Sequence, residues 1–187
     1  MFGRHGYHGV SLDKLAKAAG IQKAGLLHHF GSKEALYCAL MTRLLDELAA
    51  HLRTMTQASG GYRERLRRIA GDMTRFFARN RELAKLLLRE GMGDGPFFAT
   101  QRERPVARIA RMTEAFIARG IAEGDFVDQD PKAVFLAIGS YLLVLWGAPG
   151  ISGDVMLCDP VDEAAIAREI DRLDGFLQRT LCAGDSE

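Results

Sequence analysis

The chain has 187 residues, of which 48% are hydrophobic and 26% are charged, and its formal net charge is +1. This composition is typical of a globular protein, and it argues against disorder. The chain does not open with the cationic, apolar and small-residue segments of a signal peptide, so we expect a cytoplasmic protein.

The charge is distributed unevenly: the net charge is +3 over residues 1–53, +7 over residues 54–120 and −9 over residues 121–187. The basic part can favour a polyanion, but solvated helix faces would explain the same charges.

Metal and enzyme chemistry find little support in the residue pattern. Cys38, Cys158 and Cys182 are far apart and have no C-x-x-C spacing, so neither a disulfide framework nor a zinc cluster is indicated. Ser11 and Lys14 have the S-x-x-K spacing of an acyl-transfer nucleophile, but the other elements of such a site have no counterpart. We therefore expect no metal, no cofactor and no enzymatic activity.

Helical periodicity dominates the first part of the chain, and strand signals are nearly absent. Apolar residues at i, i+3, i+4 and i+7 predict a helix from Leu12 to Ala19, which Ser11 caps and Gly20 ends. A short second helix is predicted over residues 22–30, and a long third one over residues 33–53. Two short helices joined by a tight glycine turn are a helix-turn-helix, and its second helix is small enough to enter a DNA major groove about 12 Å wide.

The flexible stretch at residues 58–61 separates this unit from a larger helical body. We place the boundary near residues 45–60. The sequence thus predicts an all-α protein, with a helix-turn-helix unit over residues 1–45 and a larger helical body over residues 46–187.

Two helices near the C-terminus are unusually apolar. Residues 133–148 are apolar almost without pause, but these sixteen residues span only about 24 Å, short of the roughly 30 Å core of a bilayer, and we expect no membrane contact. The last predicted helix, over residues 161–182, carries an apolar stripe of Ile166, Ile170, Leu173 and Leu177. We expect this helix and the helix over residues 131–148 to form the self-association face of a homodimer; the alternative is that both are simply core.

Methionine and aromatic residues of the second domain are candidates for lining a ligand pocket, because such side chains on facing helices form an adaptable apolar cavity. Core packing is the simpler explanation for any single one of them. The candidates are Met73, Phe76, Phe77, Met92, Phe97, Phe98, Met112, Phe116, Tyr141 and Trp146.

The most specific motif lies in residues 6–36. It reads Gly-Tyr, then Ser-Leu-x-x-Leu-Ala-x-x-Ala-Gly, then Lys, then His-His-Phe-Gly-Ser-Lys-Glu-x-Leu. This succession resembles the DNA-binding segment of regulators of the tetracycline-repressor (TetR) family. The glycine-rich connection over residues 120–131 more weakly resembles the segment before the dimerisation helices of such regulators. The resemblance implies nine helices, three of them for DNA and the others for ligand and dimer contacts. It thus implies a helix-turn-helix DNA-binding domain over residues 1–45 and a ligand-binding and dimerisation domain over residues 46–187.

The candidate DNA contacts come from the helix-turn-helix and its flanks. Lys23 and His28 are expected on the outward face, His29 in the core, and Leu15, Ile21 and Leu26 in the wedge between the two helices. The full candidate set is Tyr7, Ser11, Gln22, Lys23, Ala24, Gly25, Leu27, His28 and Lys33.

Three positions depart from the family's pattern. Gln22 stands where relatives have a serine cap, Gly25 where they have a small hydroxylated residue, and Leu27 where they have a phosphate-contacting tyrosine. In addition, only residues 1–5 stand where relatives place a whole amphipathic helix. We expect that most of this helix is missing and that the apolar faces of the next two helices are exposed in its absence.

The sequence therefore predicts a DNA-binding transcriptional regulator that binds a pseudopalindromic double-stranded operator as a homodimer. The family resemblance implies a repressor that an unknown small-molecule effector releases from DNA. The alternative is a helical ligand-binding or scaffolding protein that has lost DNA binding.

Overall fold

The computed structural model describes residues 1–100, 105–156 and 162–182. These ranges contain eleven helical segments, of which α1 and α7 have only four residues each. The all-α prediction is confirmed, while the number of segments differs from the nine that the family resemblance implied. In chain order they are α1 (Phe2–His5), α2 (Leu12–Ala19), α3 (Lys23–Phe30), α4 (Lys33–Thr56), α5 (Tyr62–Arg79), α6 (Arg81–Gly91), α7 (Phe97–Thr100), α8 (Pro105–Ala122), α9 (Pro131–Gly147), α10 (Pro149–Met156) and α11 (Glu163–Leu181).

Local signals set the ends of α2 and α3. The Ser11 hydroxyl oxygen accepts a hydrogen bond from the Lys14 backbone N–H at 3.3 Å and so caps α2. Gly20 ends this helix with a φ of 69°, a left-handed conformation that a residue with a Cβ adopts only at a cost. Gln22 precedes α3 without a side-chain cap, and Gly31 ends α3 with a φ of 76°.

The helix α4 links the helix-turn-helix to the rest of the protein. Ser32 caps it by accepting a hydrogen bond from the Ala35 backbone N–H at 3.0 Å. Tyr37, Met41 and Leu45 are buried at four-residue spacing, which keeps one face of α4 in the core. Because α4 is continuous through residue 45, the boundary between residues 1–45 and 46–187 falls inside a helix, and this division stays a prediction.

The C-terminal body is a layered bundle in which α11 packs along α5, α9 along α6, and α8 against α4 and α9. The contact between α6 and α9 is very close at Gly147, where an added Cβ would lie 2.8 Å from the backbone carbonyl carbon of Ala84. An isolated antiparallel bridge joins Phe126 to Cys182. No helix in the described ranges is long and apolar enough to cross a membrane.

The apolar stripe of α11 faces the body of its own protomer. Leu173 and Leu177 are only 3% and 2% exposed, because α11 lies along α5. They are therefore core residues, which corrects the expectation that this stripe forms the self-association face. The apolar surface that remains uncovered on these helices is Leu136 of α9, 63% exposed, and Phe176 of α11, 49% exposed.

Candidate nucleic-acid interface and ligand cavity

The helix α3 is held against α2 by a small apolar contact. Leu26 of α3 and Ala16 of α2 are buried, and Leu15 is partly buried. Ile21, which we expected in the same wedge, is half exposed because it lies in the turn between the two helices. The predicted apolar contact between α2 and α3 is thus formed by Leu26 and Ala16, and Ile21 is not part of it.

The outward face of α3 carries most of the candidate DNA contacts. Its candidates are all exposed, as is Gln22 just before it: Lys23, Ala24, Gly25, Leu27 and His28. The Lys23 ammonium nitrogen lies 2.9 Å from Oδ2 of Asp13 on α2. A Cβ added at Gly25 would meet no atom within 4 Å, so packing within the protomer does not require glycine there. The Ser11 side chain is exposed and engaged in its cap.

His29 is exposed and does not pack in the core as expected. Its ring makes an edge contact with the ring of Phe30 at 4.5 Å. Leu26 is the one buried residue of α3, so the packing of this helix does not extend to the turn that carries His29. This exposure places His29 beside His28 on the accessible part of the helix.

Tyr7 and Lys33 lie together beside the helix-turn-helix. The Lys33 Nζ lies 4.2 Å from the centre of the Tyr7 ring, a cation–π contact. The Tyr7 ring also contacts the ring of Tyr37 at 5.1 Å. Burial raises the pKa of Tyr7, with smaller contributions from the Glu34 carboxylate and Cys38. The Tyr7 hydroxyl therefore keeps its proton at neutral pH and can donate a hydrogen bond.

The helix α6 contacts the N-terminal residues of the chain at points that the sequence patterns did not predict. Gly3 and Gly6 lie so close to it that added Cβ atoms would stand 2.0 Å from Oε2 of Glu82 and 2.3 Å from a guanidinium nitrogen of Arg89. Glu90 is buried, and its Oε2 accepts a hydrogen bond from the Phe98 backbone N–H at 3.2 Å. Contacts between segments eighty residues apart leave no periodic signal, which is why the sequence did not predict them.

The core of the body contains an apolar cavity of about 120 Å³. Its walls come from α4, α5, α6, α8, α9 and α11. Among the described residues that line it, Thr56 and Thr113 are the two with polar side chains. The wall on the α4 side is formed by Leu45, Leu48, Leu52 and Thr56. The cavity therefore touches the same helix that begins directly after α3.

Three of the ten pocket candidates, Met73, Phe77 and Phe116, line this cavity. Met92 and Phe98 lie at the surface, on and beside the α6–α7 connection. The other five candidates are buried or half-buried away from the cavity wall: Phe76, Phe97, Met112, Tyr141 and Trp146. Most of the wall is leucine and isoleucine, which sequence reasoning could not separate from ordinary core.

Three of the candidates that do not line the cavity make specific contacts elsewhere. The Phe76 ring contacts the ring of His51 at 5.4 Å and the edge of Phe77, its neighbour in the cavity wall, at 5.6 Å. The Trp146 ring stacks under the guanidinium of Arg81 at 5.1 Å. The Tyr141 hydroxyl donates a hydrogen bond to Oε2 of Glu169 at 2.7 Å. Each ring thus has a specific contact that directs it elsewhere.

Metal-ligating side chains do not converge in the part of the chain that the structure describes. No three His, Cys, Asp or Glu residues there are placed to hold one ion. Cys38 is half-buried and Cys182 is buried as a free thiol, while Cys158 lies outside the described residues.

Comparison with known proteins assigns both halves of the chain to one family. Residues 1–40 match the family of bacterial regulatory proteins, tetR family, and residues 59–145 match the tetracyclin repressor-like C-terminal domain. The chain is 26% identical over 140 residues to the HTH-type transcriptional regulator RutR of Escherichia coli, which covers 73% of this chain and 64% of RutR. It is 27% identical over 157 residues to the HTH-type transcriptional repressor KstR2 of Mycobacterium tuberculosis, covering 80% of this chain and 77% of that protein.

Solved structures show the same fold. The ketosteroid transcriptional regulator KstR2 of Mycobacterium tuberculosis superposes with a TM-score of 0.74 at 20% identity, over 98% of this chain and 90% of that one. AibR, solved in complex with isovaleryl coenzyme A and operator DNA, superposes with a TM-score of 0.71 at 21% identity, over 94% and 90%. These structures share with this chain a helix-turn-helix that one helix joins to a larger helical body. The chain belongs to the TetR family of bacterial regulatory proteins.

Proposed function

We propose that this protein is a cytoplasmic, non-enzymatic transcriptional repressor that binds double-stranded operator DNA through α3. The observation that carries the proposal is the exposure of α3, which touches its own protomer mainly through Leu26 and leaves its other faces accessible. Lys23 and His28 on that surface can donate hydrogen bonds to base edges or phosphates. Tyr7, Lys33 and Ser11 flank α3 at positions from which phosphate contacts would fix its orientation.

The protein acts on a pseudopalindromic operator as a homodimer, with one α3 in each half-site. The proposed dimer face is formed by α9 and α11 around Leu136 and Phe176, since large exposed apolar side chains on adjacent helices mark an interaction surface. Ala137 and Tyr141 of α9 line a surface hollow together with Phe176 of α11. We propose this face in place of the one around Leu173 and Leu177, because both of these side chains are buried in the core.

The cavity is the proposed effector site. Effector binding would favour one arrangement of the helices around the cavity, and α4 would transmit the change because it lines the cavity and also begins directly after α3. Arg108 of α8 forms an ion pair with Asp46 of α4 and adds a second link between the cavity wall and this helix. AibR, which has the same fold, was solved in complex with isovaleryl coenzyme A and operator DNA, which supports the proposal that this fold can bind both a small molecule and DNA.

Fluorescence anisotropy with a duplex from the DNA flanking the gene for this protein tests DNA binding. We expect binding that weakens steeply with salt, because phosphate contacts release counterions. Lys23→Ala should reduce the affinity at least several-fold, whereas Arg119→Ala, a change of an exposed cationic residue on α8 outside the helix-turn-helix and the proposed dimer face, should not. Absence of binding even at low salt would favour the alternative, a helical ligand-binding or scaffolding protein.

Reciprocity tests the effector mechanism. A ligand that lowers operator affinity must itself bind less tightly to the operator complex, by the same factor, and a coupling of about 1–3 kcal/mol corresponds to about 5–150-fold. Calorimetric titration of free protein and of the operator complex measures both affinities. Equal ligand affinity in the two states would overturn the mechanism and leave DNA binding untouched.

A further inference from the structure

The chemistry of the cavity wall restricts what the cavity can hold. Among the described residues that line it, no side chain is charged, and the two polar ones are Thr56 and Thr113. The Thr56 hydroxyl donates its hydrogen to the Arg53 carbonyl oxygen at 3.1 Å, and the Thr113 hydroxyl donates to the Ile109 carbonyl oxygen at 3.3 Å. Both protons are therefore used within their own helices, and these side chains offer only oxygen lone pairs to a ligand.

A wall without donors or charges discriminates strongly among ligands. A carboxylate, a phosphate or a ketone entering this space would lose its hydrogen bonds to water and gain none from these residues. An ammonium group would find hydroxyl lone pairs but no opposite charge. Hydrocarbon groups lose nothing and bury apolar surface, so they are the chemistry that this wall favours.

The volume limits the size of that group. An apolar protein cavity of about 150 Å³ stays dry and binds benzene. The cavity of about 120 Å³ in this protein is slightly smaller. It therefore matches an aromatic ring or a short, branched alkyl group of about six non-hydrogen atoms, with any polar part of the same molecule lying outside the cavity.

We propose that the effector of this regulator is an uncharged apolar molecule, or presents an uncharged apolar group of about that size to the cavity, and that the cavity rejects charged groups. This inference rests on the proposed function only in the claim that the bound molecule is an effector. The selectivity of the cavity itself can be measured without DNA.

The test compares benzene and toluene with benzoate and benzylamine at pH 7, by the thermal unfolding midpoint and by calorimetric titration. We expect benzene and toluene to raise the midpoint, because a ligand that binds only the folded state stabilises it. Benzoate and benzylamine should bind at least about tenfold more weakly. Binding of either charged probe as tightly as benzene would overturn the proposal.

Two variants locate the binding. Gly139 lines the cavity, and an added Cβ there meets no atom within 4 Å, so Gly139→Leu should fill the space and abolish the effect of benzene. Gly150→Leu is the matched control, since Gly150 is equally open, exposed and away from the cavity. Leu142→Ala enlarges the cavity and should increase the affinity for toluene. If benzene binds equally well to Gly139→Leu, or to neither the wild type nor Leu142→Ala, the proposal is wrong.

Measurements of operator affinity with and without cavity ligands distinguish a failure of this proposal from a failure of the proposed regulatory function. Apolar probes that fill the cavity without changing operator affinity would support the ligand class and count against effector-controlled release. A charged effector that releases DNA equally well from the wild type and from Gly139→Leu would support regulation and overturn the ligand class.

Discussion

The ammonium group of Lys23, in the first turn of α3, lies 2.9 Å from the carboxylate of Asp13 on α2. Both side chains are largely exposed, at 48% and 69% of their surface, so the pair contributes at most about 1 kcal/mol to stability. Its larger effect is electrostatic, because the pair places a negative charge beside a lysine proposed to contact DNA. The Asp13 carboxylate thus offsets part of the positive charge of the proposed interface.

Asp13→Asn should strengthen DNA binding several-fold at low salt, because Lys23 is then free of its competing carboxylate and repulsion from phosphates falls. Anisotropy titrations over a series of salt concentrations measure both the affinity and its salt slope. Asp72→Asn is the matched control, since Asp72 pairs with Arg75 on α5, away from the helix-turn-helix. Equal DNA affinity of Asp13→Asn and the wild type would show that the pair does not compete with DNA.

Gly25→Ala should raise the free energy of unfolding by about 0.8–1.0 kcal/mol, the difference in helix propensity between the two residues. Gly25 is inside α3, has no positive φ, and has open space where the Cβ would lie. Urea unfolding provides the measurement. Gly31→Ala is the matched comparison: the space is equally open, but the φ of 76° makes alanine unfavourable by about 1–2 kcal/mol.

The same Gly25→Ala variant also tests whether the glycine serves DNA binding. If the backbone of α3 approaches DNA closely at this position, the added methyl group should lower operator affinity although it stabilises the free protein. Opposite signs of the two effects would assign Gly25 to the interface. Higher stability with unchanged operator affinity would contradict a close approach at this residue.

Leu136→Glu or Phe176→Glu should convert the proposed dimer to a monomer, because each would place a charge in the centre of an apolar interface. Light scattering gives the mass, and circular dichroism checks that the helices remain. Met92→Glu serves as the control, since Met92 is 78% exposed on the α6–α7 connection. Dimers of unchanged mass in both variants would place the interface elsewhere.

Stability should fall as the pH rises above about 10, the ordinary pKa of tyrosine. Burial, followed by the nearby Glu90 carboxyl group, raises the pKa of Tyr37 well above that value. The folded protein therefore keeps a proton that the unfolded chain loses, and the stabilisation is complete below pH 10 and is lost as the pH increases. Each such group contributes a slope of about 1.4 kcal/mol per pH unit.

Tyr37→Phe should make this decline shallower by that slope, measured by urea unfolding between pH 8 and about 12. Tyr141→Phe should do the same, because burial and the hydrogen bond to Glu169 raise the pKa of Tyr141. If the free energy of unfolding of both variants falls with pH as steeply as that of the wild type, these tyrosines do not cause the decline. Only the slopes are compared, because removing either hydroxyl also changes the stability at neutral pH.

The predicted helices of the first part of the chain agree with the structure because their determinants are local. The cap at Ser11 and the stop at Gly20 depend on residues within one turn, and α2 has the predicted ends. The third predicted helix also begins at Lys33 but continues three residues beyond Arg53, to Thr56. Helix ends without a strong stop signal are set by packing, and the sequence does not mark them.

Tertiary packing decided which apolar residues face the cavity, the core or the surface. The sequence determined that the chain is helical, that it contains a helix-turn-helix and that its body is rich in apolar residues, since these properties depend on spacing along the chain. It could not separate Phe77, in the cavity wall, from Phe76, which faces His51. Nor could it place Leu173 inside and Phe176 outside, because the side of α11 that is buried depends on where α5 lies, and α5 is about a hundred residues earlier in the sequence.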